Sequence, residues 1–223
     1  MALVYQSLAV SQYRPGMVGN RAGGLIAVRG VVVPKAALVI SDLLEAVILP
    51  ALWVPVDAWI DSDDIDSATT ATFDAGVMSG TPGSTDVART VTTDFFSAST
   101  IGQAGGLARS TRVQGMRITA TDKDRSLGIK VLAAPTGVAS LTNMNVDRGV
   151  WQPSTVYTAN DFITLADGRR AKCTTGGTSG TTFPPTLSVA LYNATATDGS
   201  VTWTIGDAAI GLTVLMRPAV AGA

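Results

Sequence analysis

Nine residues near the middle of the chain, Leu127 to Pro135, read Leu-Gly-Ile-Lys-Val-Leu-Ala-Ala-Pro. They return at Ile210 to Pro218 as Ile-Gly-Leu-Thr-Val-Leu-Met-Arg-Pro. Gly128 matches Gly211, Val131 matches Val214, Leu132 matches Leu215 and Pro135 matches Pro218. Each apolar run ends at a proline, which has no amide to give to a sheet ladder. A different segment lies between the copies. The pattern predicts one β-domain, residues 1–147 plus 207–223, interrupted near its end by an inserted module, residues 148–206. Two unrelated apolar strands of similar composition would read the same way.

The rest of the sequence supports an all-β chain. Leu52 to Ile60 alternates Trp53, Pro55, Asp57 and Trp59 against Leu52, Val54, Val56, Ala58 and Ile60, which is the period of a strand. Further strands are expected at Gly30–Val33, Ala71–Val77, Arg89–Phe95, Val113–Thr119 and Leu127–Leu132, with turn-forming clusters between them. That spacing is the one a β-sandwich or jelly roll requires. From Ala36 to Leu49 the apolar residues have no decisive period. Ser41 with Glu45 four residues later fits the start of a short helix, and two buried strands fit equally well. Between the strands no long amphipathic helix appears, which argues against a parallel sheet with crossover helices. Residues 2 to 29 are small and glycine-rich and read as an extended arm or as an ordinary edge segment.

Composition narrows the function. Charged residues make up 15% of the chain and hydrophobic ones 46%, so the surface is largely Ser, Thr, Gly and Ala. Such an exterior fits a protein held against copies of itself or a larger assembly. The net charge is −1 and no window is dominated by Lys and Arg, so nucleic acid is not an expected partner. No apolar run approaches a membrane span, and the first residues do not form a secretion signal, so a soluble chain synthesised in the cytoplasm is expected. There is no histidine and one cysteine, Cys173. A disulfide framework and histidine-based catalysis are excluded, and Cys173 is expected in a core.

Asp61, Asp63, Asp64 and Asp66 form the densest carboxylate cluster. Alternating aspartates can converge on a hard cation, but counting from Asp61 the sixth position holds Asp66 and the twelfth Thr72, where a calcium loop needs Gly and Glu. No metal and no other cofactor is expected, and a strand-end turn with local side-chain-to-backbone bonds explains the cluster. Phosphate-cradling glycine patterns are missing, and a hydrolase built on these carboxylates lacks any substrate-holding constellation, so no enzyme is expected.

In the module, Asp167-Gly168 and Asp198-Gly199 signal hairpins joining strands near Asp161–Leu165, Arg170–Thr174 and Val201–Ile205. The run Trp151-Gln-Pro-Ser-Thr-Val-Tyr157, followed by Asp-Gly-Arg-Arg-Ala-Lys-Cys173 and closed by Trp203, resembles short Trp-Pro-Tyr-Gly-Cys modules of tailed-phage structural and fibre proteins. It is also similar to chitin- and cellulose-binding modules, in which aromatic rings stack on a sugar. Trp151, Tyr157 and Trp203 fall on those positions, while Ala171 stands where an aromatic residue is usual. These three rings are therefore either a glycan platform or the core of a small sheet.

The flanking part, with Val-Pro-Val-Asp-Ala-Trp-Ile-Asp-Ser-Asp-Asp-Ile-Asp at 54 to 66, Phe-Asp-Ala-Gly-Val at 73 to 77 and the terminal Gly-Leu-Thr-Val-Leu-Met-Arg-Pro, resembles head decoration, or cement, proteins of tailed bacteriophages. That resemblance implies a jelly-roll structural protein on the outer surface of the virion, a homotrimer that grips the major capsid protein and stabilises the shell. Contacts are expected from Tyr5, Tyr13, Arg14, Arg21 and Arg29 of the arm and from Trp53 and Trp59. The alternative is a tail-fibre or surface adhesin that holds host glycans through Trp151, Tyr157 and Trp203.

Overall fold

The computed structural model describes residues 4–6, 24–34, 38–66, 68–136, 146–166, 170–185, 194–206 and 209–219. In chain order, β1 is Val4–Gln6, β2 Ile26–Val32, β3 Leu43–Leu49, β4 Trp53–Ser62 and β5 Thr72–Met78. Then come β6 at Phe96–Ser99, β7 at Gly106–Arg109, a single helical turn α1 at Val113–Met116 and β8 at Arg125–Ala133. The remaining strands are β9 Val156–Tyr157, β10 Phe162–Thr164, β11 Arg170–Thr175, β12 Gly177–Thr178, β13 Thr195–Asp198, β14 Val201–Ile205 and β15 Ile210–Pro218.

A five-stranded sheet ordered β1-β3-β8-β5-β6 packs on a four-stranded sheet ordered β2-β15-β4-β7. The chain is an all-β sandwich. Alternate residues of both inner faces meet in one core, with Leu44, Val47, Phe73, Leu127, Ile129 and Val131 from one sheet against Ile60, Leu212, Val214 and Met216 from the other. Where β2 meets β3 the layers approach backbone to backbone at Gly30 and Ala46, a contact only a residue without a Cβ allows. Apart from β1, which lies parallel to β3, the neighbouring strands of these sheets are antiparallel.

The repeated nonapeptides fall on β8, which ends at Ala133, and on β15, and each strand occupies the interior of its own sheet. Interior position explains their likeness: Val131 and Val214 both face the core and are fully buried. A second cluster is built on the β10-β11-β14-β13 sheet, with Ile163, Ala171, Cys173, Val201, Trp203 and Ile205 packed around Tyr157.

Several expectations are corrected. No helix starts at Ser41, which sits in a turn at φ 73°, and Glu45 is a fully buried residue of β3. Of the two readings of residues 2 to 29, residues 26 to 29 follow the edge segment and not the arm: they are the first half of β2, an edge strand paired rung for rung with β15. Arg89–Phe95 is not a strand, apart from a single bridge between Val91 and Met78. This segment instead crosses the outside of the five-stranded sheet and sends Arg89 into a buried ion pair with Glu45, N to O 3.0 Å. Val113–Thr119 is not a strand either: Val113–Met116 forms α1, and Gly115 within it lies so close to the Phe95 ring that a Cβ would meet it.

Strict alternation along β4 fails at Val56. Met216 pairs with Pro55 and Leu215 with Asp57, so Val56 is an extra residue in a β-bulge. The bulge reverses the facing of everything before it. Trp53 therefore turns inward against the core, while Trp59 stays on the outer face, and the two tryptophans that alternation puts on one face are on opposite faces.

Candidate functional site

The outer face of the four-stranded sheet carries a row of charged and aromatic side chains. Register sets it: Arg29 on β2 lies opposite Thr213, which lies opposite Trp59, which lies opposite Arg109 on β7. One row therefore crosses four strands. Two rungs away, Asp61 lies opposite Gly211, whose lack of a side chain makes room for the carboxylate; a Cβ there would sit 2.4 Å from Asp61 Oδ1.

Arg29 donates to both oxygens of Asp61, and this bond holds the guanidinium more firmly protonated than usual. Arg109 donates from Nε to Asp57 Oδ2 at 2.8 Å, with the same effect on its own proton. Its guanidinium also lies 5.8 Å from the centre of the Trp59 ring. The half-exposed indole thus sits among two arginine–aspartate pairs, and Leu107 beside it is 68% exposed. Exposed pairs of this kind contribute little to stability. They present a polar face with an aromatic centre, the composition common in protein interfaces.

Of the residues expected to make contacts, Arg29 and Trp59 are brought onto this one face. Trp53 is not. Tyr5 belongs to β1 at the edge of the other sheet, and Tyr13, Arg14 and Arg21 lie outside the described residues.

The aspartate cluster disperses. Asp61 pairs with Arg29, and Asp63 Oδ2 accepts the Ala209 amide at 2.9 Å. Asp66 accepts the amides of Ala68, Thr70, Ala71 and Thr136. Burial pushes its pKa up, but those four amides outweigh it and hold the group below its ordinary value. Its negative charge staples the 66–71 turn to the end of β8. Among the described residues no group of acidic or sulfur ligands is arranged to hold a metal ion.

Nor do the module's aromatics form a flat exposed platform. Tyr157 and Trp203 are buried at 1% and 0% exposure, edge to face at 4.9 Å and 73°. Trp151 is half-buried, edge-on to Phe183 at 5.6 Å. Both indole N–H groups donate to one oxygen of Asp198, from Trp151 at 2.7 Å and Trp203 at 3.2 Å. A sheet this small needs its largest rings inside. Cys173 is fully buried in the same cluster, and burial pushes its thiol up to about 11.

The long-range pairs Arg109–Asp57 and Arg89–Glu45 had no signal in the linear sequence, since 52 and 44 residues separate the partners.

No family model and no curated protein matches the chain. Among solved structures, a chain of the capsid of Ralstonia phage GP4 is 27% identical, with a TM-score of 0.61, and the match covers 96% of this chain and 97% of that one. A chain of the cyanophage Pam1 capsid asymmetric unit is 18% identical with a TM-score of 0.43, covering 90% of each. The protein is thus structurally related, across nearly its whole length, to a phage capsid chain.

Proposed function

We propose that the chain is a non-catalytic structural protein of a tailed-phage virion, one that decorates the capsid and stabilises it by bridging neighbouring major capsid subunits. The observation that carries this is the match to the Ralstonia phage GP4 capsid chain, which runs through both the sandwich and the second cluster. The charge-poor surface and the aromatic, arginine-bearing outer face support the same reading. In this arrangement residues 1–147 and 207–223 grip the shell as one of three copies, the face around Arg29 and Trp59 makes the contact, and residues 148–206 project outward from the virion.

A protein that binds the assembled lattice better than free subunits stabilises the lattice by mass action. The test is to mix the purified chain with shells prepared without it, sediment the shells and melt them. Co-sedimentation with a raised shell melting temperature, dependent on added chain, is expected. Shells that neither retain the chain nor melt later would sink the proposal.

A further inference from the structure

We propose that a groove beside the β4 bulge seats an extended acidic segment of a partner protein. β7 pairs only with Trp59–Ser62, and the Ser110 amide adds one last bond to the Ala58 carbonyl at 2.8 Å before the chain leaves the sheet for α1. Beyond that point Val54 to Asp57 have β15 as a ladder neighbour on one side and, among the described residues, no strand on the other. The space where β7 would have continued is a groove of about 460 Å³, joined across Val56 and Met116 to a smaller one of about 190 Å³.

The floor is apolar, made by Val54, Val56 and Met116. The rim is basic: Arg117 and Arg217 line the larger part, Arg109 and Arg112 the smaller. Arg109 is matched by Asp57. Among the described residues Arg112, Arg117 and Arg217 have no carboxylate within ion-pair distance. Three uncompensated guanidinium groups in a chain of net charge −1 are a local excess of positive charge over an aliphatic floor. Carboxylates alternating with apolar side chains on an extended backbone satisfy both features, because alternate residues point to opposite sides. Nucleic acid fits less well, since the floor offers no aromatic ring on which a base could stack.

The segment would belong to the shell protein, so this inference rests on the virion reading above. The experiment separates the two. A labelled peptide of alternating Glu and Val, about ten residues long, is titrated by fluorescence anisotropy into the intact chain, with the corresponding Lys and Val peptide and oligothymidylate as controls. Binding of the Glu peptide alone is expected, weakening with salt. In Arg117→Glu/Arg217→Glu, two exposed positions whose fold circular dichroism checks, affinity should fall about tenfold or more, and Arg117→Lys/Arg217→Lys should retain most of it. Equal affinity in the Glu variant, or equally tight oligothymidylate, would overturn the groove.

Shell sedimentation adds the other arm. Shells that take up parent and Glu variant alike overturn the groove and leave the virion reading standing. Peptide binding that the Glu variant loses, in a chain that shells do not retain, supports the groove and sinks the virion reading.

Discussion

Arg89 and Glu45 form an ion pair from which water is almost wholly excluded, with side chains 2% and 0% exposed. Glu45 also accepts from Gln6 Nε2 at 3.0 Å, the Gly83 amide and the Ser126 hydroxyl, while Arg89 donates onward to the carbonyls of Ser79 at 2.7 Å and Ser84 at 2.9 Å. One buried pair therefore ties the N-terminal strand, β3, β8 and the 79–89 crossing together. Removing one partner leaves an uncompensated charge, so Arg89→Ala should cost about 3 to 5 kcal/mol in urea unfolding. The double variant Arg89→Met/Glu45→Leu should recover much of that loss, and a single variant costing under about 1 kcal/mol would show that water reaches the pair.

Gly30 is the second point of close approach. A Cβ built there would lie 1.8 Å from the Ala46 carbonyl oxygen. Gly30→Ala must push the sheets apart or tilt β2, and should cost about 3 kcal/mol or more. Gly83, at φ 79° with nothing within 4 Å of its Cβ position, is the control; Gly83→Ala should cost only about 1 kcal/mol, from backbone strain. Thermal melts of the pair check the contrast, and equal losses would contradict it.

Asp198 carries both indoles of the second cluster. Asp198→Ala leaves the Trp203 N–H buried without an acceptor and frees that of Trp151, at a cost of about 1 to 3 kcal/mol for the buried group. Near-ultraviolet circular dichroism should lose tryptophan signal before far-ultraviolet signal changes. Unaltered near-ultraviolet bands would mean that the rings are fixed by packing alone.

Lys172 and Cys173, neighbours on β11, give the second cluster an alkaline signature. Burial lowers Lys172 from 10.5 to about 8, so the unfolded chain binds that proton more tightly and stability should rise as pH climbs from about 8 toward 10.5. Burial raises Cys173 from 9.0 to about 11, so the unfolded chain loses that proton first and stability should fall between about 9 and 11. The sum is a rise between about 8 and 9, near-cancellation up to 10.5 and a fall beyond it. In Cys173→Ala the rise should run on to about 10.5. Urea titrations across this range decide it, and a flat profile for Cys173→Ala would remove the Lys172 contribution.

Much of the sandwich was legible because period-two patterning reports which face of a strand is buried. β4, β5 and β8 are found where alternation or apolar runs mark them. What the pattern cannot carry is the single extra residue of a bulge, and Val56 was enough to separate Trp53 from Trp59. Nor can local propensity show that a segment such as Arg89–Phe95 will bond to β5 only at irregular intervals, or that Arg89 has a carboxylate to reach 44 residues back. The candidate face was half visible: Arg29 and Trp59 stood out as residues, but their partners Asp61 and Arg109 are chosen by strand register. The groove was invisible, since its arginines come from the end of β7, the segment after it, the residue following α1 and β15.

The position of β15 sets the order in which the protein can form. It lies between β2 and β4 in the four-stranded sheet, yet it is the last of the described strands to leave the ribosome. Until it emerges, β2 has no hydrogen-bonding neighbour in its sheet and β4 has only β7. The second cluster, complete by Ile205, can close on the nascent chain by itself. Half the sandwich must wait, its apolar strands held open through synthesis of the intervening segment.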